Sequence, residues 1–235
     1  MNRSKLFTFI VLVVLIAGCS HAKWVSNDFE RYQSGVDSVS ILFPLVEYSE
    51  KSGEEKNVKI GHSVFISRKV AEVLKSIIDK DHFIAQSAVV ISDSAIIDRW
   101  LPRFFSKSTQ KAKQFNDSLL RAKETIGMFP VIPEMRLLTD KVTTKLFLFV
   151  NGTAFGTTEE TKQNDIQQAQ TFDLLYDHPF AYDYQWSGLQ LHMYLVETKT
   201  MKLLWSHQND YHDTKYDPIK EEEIKNLCRK LIQIN

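Results

Sequence analysis

The chain has 235 residues, with 29 Lys+Arg against 29 Asp+Glu, and 43% of them are hydrophobic. That length suits one domain or two small ones, and the apolar fraction excludes global disorder. The balanced charge, with no basic stripe, gives no footing for nucleic-acid binding, so no nucleic-acid partner is expected.

The first residues read as a secretory signal. Arg3 and Lys5 supply a positive start, Leu6 to Ala17 an apolar core, and Ala17 and Gly18 the small residues of a cleavage point. The apolar run falls short of the roughly 20 residues a spanning helix needs. Leu15-Ile16-Ala17-Gly18-Cys19 resembles the lipobox of bacterial lipoproteins. The resemblance implies diacylglycerol on Cys19, cleavage before it, and acylation of the new N-terminus, with palmitate a typical chain. Two chains or more make membrane attachment stable where one is marginal. Ser20, rather than Asp, follows the cysteine, which in that family implies the outer membrane, at its periplasmic face. Cys228 is then the one remaining thiol, so no intramolecular disulfide is expected in a compartment that permits them.

This divides the chain into a signal (1–18), a lipidated N-terminus and tether (19–37), and a single periplasmic α/β domain (38–235). The tether reaches about 60 Å fully extended and about 25 Å as a flexible coil. Trp24, Phe29 and Tyr32 within it suggest that part of it packs back.

Val39 to Tyr48 is apolar and β-branched and predicts the first strand, with Pro44 marking an edge or a bulge. A polar loop is expected over Ser49 to Asn57. From Ser63 to Ile78, apolar residues at helical spacing put Ile66, Val70, Val73, Leu74, Ile77 and Ile78 on one face, with Ser63 or Ser67 as the cap. Phe83 to Ile91 predicts a second strand. Helices are expected over Asp93 to Phe105 and Ser108 to Ile126, and Pro133 can open another ending near Val142. Lys145 to Asn151 (KLFLFVN) suits a strand buried on both faces. The segment 153–186 reads as an irregular aromatic insertion, hydrophilic first and then rich in Phe and Tyr. Leu189, Leu191, Met193 and Leu195 alternate with Gln190, His192 and Tyr194, a period-two strand that forms a hairpin with Leu203 to His207. The last helix begins at Asp217 as N-cap and Pro218 as first residue, and buries Ile224, Leu227, Cys228, Leu231 and Ile232.

The chemistry in the chain is sparse. No G-x-S-x-G occurs, and Gly61-His62-Ser63 lacks the strand-elbow-helix setting of a serine nucleophile. His207, Asp210 and His212 are candidate metal ligands, but zinc requires three or four converging groups and this spacing matches no zinc signature. No metal site, cofactor or catalytic residue is therefore assigned. An envelope hydrolase or metal-dependent enzyme using that end is the alternative to a binding protein. Cys228 on an apolar helix face reads as a small buried side chain. His178 and His192 read as surface or half-buried residues. Phe172, Tyr176, Phe180, Tyr182 and Tyr184 either cover the core beneath a long loop or form a partner-binding surface.

Leu189 to Ser206, LQLHMYLVETKTMKLLWS, resembles the closing hairpin of curli-secretion (CsgG-like) and penicillin-binding-protein-activator (LpoB-like) lipoproteins. The opening strand ILFPLVEY, the helix VFISRKVAEVLKSI and the strand KLFLFV also match that pattern. The resemblance implies a TolB-N-terminal-like fold: a mixed β-sheet with flanking helices, ending in a β-hairpin and a C-terminal helix. It further implies a non-enzymatic subunit for assembly, secretion or transport, bound to the membrane through lipid and to envelope proteins, self-association included. The chain departs from the pattern in lacking the usual turn glycine, in the segment 153–186, and in having no long Pro-rich linker.

Overall fold

A computed structural model describes residues 24–26, 29, 36–92, 128–129, 133–176, 185–209 and 216–233. Among them are eight strands: β1 (Trp24–Val25), β2 (Ser38–Leu42), β3 (Leu45–Ser52), β4 (Glu55–Val58), β5 (Ser87–Ile91), β6 (Leu146–Thr157), β7 (Ser187–Glu197) and β8 (Leu203–Gln208). Four helices accompany them: α1 (Ile60–Asp81), α2 (Pro133–Thr139), α3 (Glu159–Tyr176) and α4 (Glu221–Ile232). The strands form one mixed sheet in the order β1-β8-β7-β6-β2-β5, with β3 and β4 branching from β6. The expected mixed α/β class therefore holds. The helices expected over 93–105 and 108–126 lie outside the described residues.

The opening apolar run is two strands along one path. Both β2 and β3 pair with β6 in parallel, with Ile41 opposite Leu148 and Leu45 opposite Asn151. Residues 42–44 thus face 149–150, so one extra residue bulges out at Phe43–Pro44. Proline has no N–H for the ladder, and a bulge is where a strand tolerates that loss.

The bulge is followed by a gap on the far side of the strand. There β5 ends, with Ile91 opposite Leu42, and β4 begins only at Val58 opposite Ser49. Two amides in the gap are met by helix side chains: Val46 N–H donates to Ser67 Oγ at 3.0 Å, and Tyr48 N–H to Ser63 Oγ at 2.8 Å. The expected capping role of these serines is corrected. Helix α1 starts at Ile60, behind Lys59, with no side-chain cap. Ser63 and Ser67 face the sheet because a buried N–H without an acceptor costs more than a solvated helix end. The stripe Ile66, Val70, Val73, Leu74, Ile77 and Ile78 is buried as expected.

Three further expectations need correction. The polar loop at 49–57 is the β3–β4 hairpin, turned at Gly53 with φ +59°. Glu55 and Lys56 sit on the outer strand β4, where charge guards the edge against unwanted pairing. The second strand spans only Ser87–Ile91, because α1 stops at left-handed His82 and Ile84 and Ala85 reach the core from a connection. The last helix starts at Glu221, not at Pro218. Asp217 caps a preceding turn instead, accepting from Ile219 N–H at 2.9 Å, while its own N–H donates to the Glu223 carboxylate.

The sheet is apolar on both faces. One carries α1 and α4 over Ile41, Val46, Leu148, Val150, Leu191, Met193 and Trp205. The two helices lie side by side, joined by Lys69–Glu221 at 3.1 Å and Arg229–Asp81 at 3.5 Å. The other carries Phe147, Phe149, Tyr194 and Val196 beneath Phe129 and Leu138 of α2. Phe129 meets Phe147 and Phe149 edge-on, with centroids 5.6 and 5.4 Å apart. Alternation along β6 assigns each neighbour to a different face, which is why KLFLFV reads as a continuous apolar run.

The β7–β8 hairpin forms as expected. Its missing glycine is replaced by Met201 at φ 56°, and a bulge near Leu195–Val196 takes up the longer loop.

Candidate functional site

The anchor cysteine, Cys19, lies outside the described residues. What the structure does place is the chain just after it. Trp24 and Val25 pair antiparallel with Ser206 and Trp205, Ser26 N–H donates to the Leu204 carbonyl at 2.8 Å, and Phe29 is buried in the core under α1 and α4. The coil expected over 19–37 is corrected here: part of it is an edge strand. Only its aromatic content signalled this, because a two-residue strand carries no period.

The segment expected to be irregular is also ordered for most of its length. Strand β6 continues through Thr157, and α3 follows at once. Gly152 and Gly156 are both sites of close approach. A Cβ on Gly152 would lie 2.1 Å from the Gln190 carbonyl oxygen, and one on Gly156 would lie 2.3 Å from Tyr48 Oη. Thr158 caps α3, accepting from Thr161 N–H at 3.3 Å, and Glu159 and Glu160 complement the helix dipole. That Thr-Glu-Glu start was the readable signal. Little helical period accompanies it, because Glu159 to Gln170 carries only Ile166 and Ala169 as apolar side chains.

Helix α3 is fixed at its root. Gly53 N–H donates to Thr161 Oγ1 at 3.0 Å, and Thr158 N–H to the Lys51 carbonyl at 3.0 Å, tying it to the β3–β4 turn. Between 159 and 171 only Thr161 is buried. Phe172 and Tyr176 belong to the last turns of this helix; Phe180, Tyr182 and Tyr184 lie outside the described residues.

The histidine end is built differently from a metal centre. His207 is buried, and its Nδ1 is 2.7 Å from the Leu231 carbonyl, to which it donates. It thereby ties β8 to the last turn of α4. Asp210 and His212 lie outside the described residues, among which no three His, Cys, Asp or Glu groups gather to hold a metal. Next to it, Asn209 acts as a substitute strand residue. Its Oδ1 accepts from Leu191 N–H at 2.7 Å and its Nδ2 donates to the Leu189 carbonyl at 3.0 Å. His192 is half-buried as expected, with Nδ1 2.7 Å from Tyr194 Oη.

Titration behaviour follows burial. Cys228 is fully buried, which pushes its thiol well above the usual range and keeps it protonated. Burial raises Tyr194 likewise, and it raises Tyr48 with help from the Glu50 and Asp217 carboxylates. A groove of about 190 Å³ between α1 and α4 is lined by Lys69, Glu72, Lys80, Glu221 and Lys225. Ligand pockets are mostly apolar and larger, so this groove is a seam between two helices.

No protein-family profile and no curated protein matches the chain. Among solved structures, it is similar to a DUF4136 family protein from Bacteroides thetaiotaomicron, with 8% identity and a TM-score of 0.31, over 90% of this chain and 94% of that one. A hypothetical protein from Chlamydia trachomatis gives 13% identity and a TM-score of 0.31, over 83% and 91%. Likeness at this level assigns no activity. Neither is described as a CsgG-like or LpoB-like protein.

Proposed function

We propose that the chain is an outer-membrane lipoprotein, anchored at the periplasmic face through Cys19, whose domain serves without catalysis as an assembly, secretion or transport-accessory subunit. The observation that carries this is α3. A helix of 18 residues is about 27 Å long. From Glu159 to Gln170 it carries only Ile166 and Ala169 as apolar side chains and buries only Thr161. So polar a helix gains little from packing on its own domain, and bridging to something else is one of the few settings that favours it. Its sequence turns aromatic towards its C-terminal end, through Phe172 and Tyr176 and on to Phe180, Tyr182 and Tyr184. Aromatic anchors dominate most protein interfaces, so this end is the partner-binding element, for an envelope protein or a further copy of the chain. Engagement of His207 with the Leu231 carbonyl weighs against the hydrolase alternative.

The test is affinity recovery of the full-length lipidated protein from crosslinked membranes, beside a variant carrying Tyr176→Ser, Phe180→Ser and Tyr182→Ser. Native unfolding with loss of recovered partners is the expected outcome. Unchanged unfolding with unchanged recovery would rule out this end of α3 as the recognition site.

A further inference from the structure

We propose that β1 turns the lipid anchor into a short leash, which holds the β1–β8 edge of the domain against the headgroup surface of its own membrane. The inference rests on the lipoprotein reading of Cys19. Four residues, Ser20 to Lys23, separate that cysteine from Trp24, the first residue paired with β8. Five Cα–Cα steps reach at most about 17 Å, against about 60 Å if the whole tether were free. The junction is held by more than a strand end. Ser26 N–H donates to the Leu204 carbonyl at 2.8 Å, Phe29 N–H donates to the Ser26 carbonyl at 3.0 Å, and the Phe29 ring is 4% exposed in the main core. Releasing the leash therefore requires withdrawing a buried aromatic ring, which ordinary end-fraying does not do.

The direction of approach is also set. Strand β1 runs antiparallel to β8, with Trp24 opposite Ser206 and Val25 opposite Trp205, so the chain arrives from the Gln208 end of β8. That end of the sheet edge faces lipid. Lys23, at the domain end of the leash, carries the charge opposite to anionic headgroups. A domain so held cannot cross the periplasm. Its partners are restricted to molecules in the same membrane or within one domain length of its surface.

The experiment uses the full-length lipidated protein in a supported bilayer of phosphatidylethanolamine and phosphatidylglycerol, with neutron reflectometry reading the water layer between headgroups and protein. The native protein should show a layer no thicker than about 17 Å. A 20-residue Gly-Ser insertion between Ser20 and His21 should widen it by about 25 Å. Ser26→Pro combined with Phe29→Ser, which removes both the donor to Leu204 and the buried ring, should widen it too while the domain stays folded. If that variant does not fold, the insertion still decides the matter. A wide native layer, or an insertion that changes nothing, overturns the leash. Intact mass and amide exchange on the same sample separate the two ideas. A Cys19 without acyl chains overturns the lipoprotein reading and the membrane contact with it. Full acylation with an unprotected Ser26 amide overturns only the leash.

Discussion

Replacing Gly152 by alanine measures how tightly β6 is clamped. The new Cβ would sit 2.1 Å from the Gln190 carbonyl oxygen and 2.9 Å from Leu191 Cδ2, where comfortable separations are about 3.5 Å. The nearer clash is with backbone, so no rotamer change relieves it. Strand β6 cannot retreat, because Val46 of β3 pairs with Gly152 on one side and Leu191 of β7 on the other. Overpacking a core costs about 1–3 kcal/mol when side chains can shift. With backbone as the obstacle, a loss of about 3 kcal/mol or more is expected. Gly61→Ala provides the contrast: nothing lies within 4 Å of its Cβ position in the first turn of α1. There alanine should stabilise by about 0.5–1 kcal/mol. Urea unfolding of both variants, read as midpoint at constant slope, gives the two numbers. A Gly152→Ala protein within about 0.5 kcal/mol of native would refute the close approach of β6 and β7.

Ser67→Ala should cost about 1–3 kcal/mol in urea unfolding, since it leaves the buried Val46 N–H without an acceptor; a neutral result would mean that water replaces the hydroxyl. Leu231→Asp places a charge where the side chain is 1% exposed and should lower stability by several kcal/mol; an unchanged melting temperature would show that α4 does not pack on the sheet. Stability should also fall in acid. The Lys75 ammonium and the Ala88 N–H hold Asp79 below the ordinary carboxylate range, and the Asp217 N–H and Lys220 do the same for Glu223. A depressed folded pKa gives stability that is present above the unfolded value and lost as pH falls through the folded one. The loss therefore begins near pH 4, about the unfolded range of these groups, and Asp79→Asn should flatten it in a pH series of melting temperatures.

Elements with a strong period were legible. The α1 stripe, the α4 stripe and the alternation in β7 each state which face is buried, and the burial agrees with the pattern except at Tyr194 and Val196, which the second face of the sheet buries as well. The bulge at Pro44 was legible because proline lacks a ladder donor. By contrast, α3 was not, since its first twelve residues hold only Ile166 and Ala169 as apolar side chains, too few to show a 3.6-residue period beside the Thr158 cap. Gly152 and Gly156 could not be read from the sequence for a related reason. A glycine required by a neighbouring strand looks in sequence like one placed to end its own. At the candidate site, the aromatic character of 172–184 was plain, but that Phe172 and Tyr176 belong to α3 was not.

The sequence by itself determined the α/β class, the two-faced apolar strand at the centre of the sheet, the amphipathic helices and the lipobox-like start, because each is written in residues close together along the chain. Only the tertiary structure decided where isolated polar groups find partners. Ser63 and Ser67 meet the amides of β3, Asn209 meets the edge of β7, and His207 meets the end of α4. It also decided that Trp24 and Val25 join β8. Each of these pairs joins residues distant in sequence, and each forms because a buried or edge N–H or C=O must be satisfied by whatever the folded chain brings within about 3 Å of it.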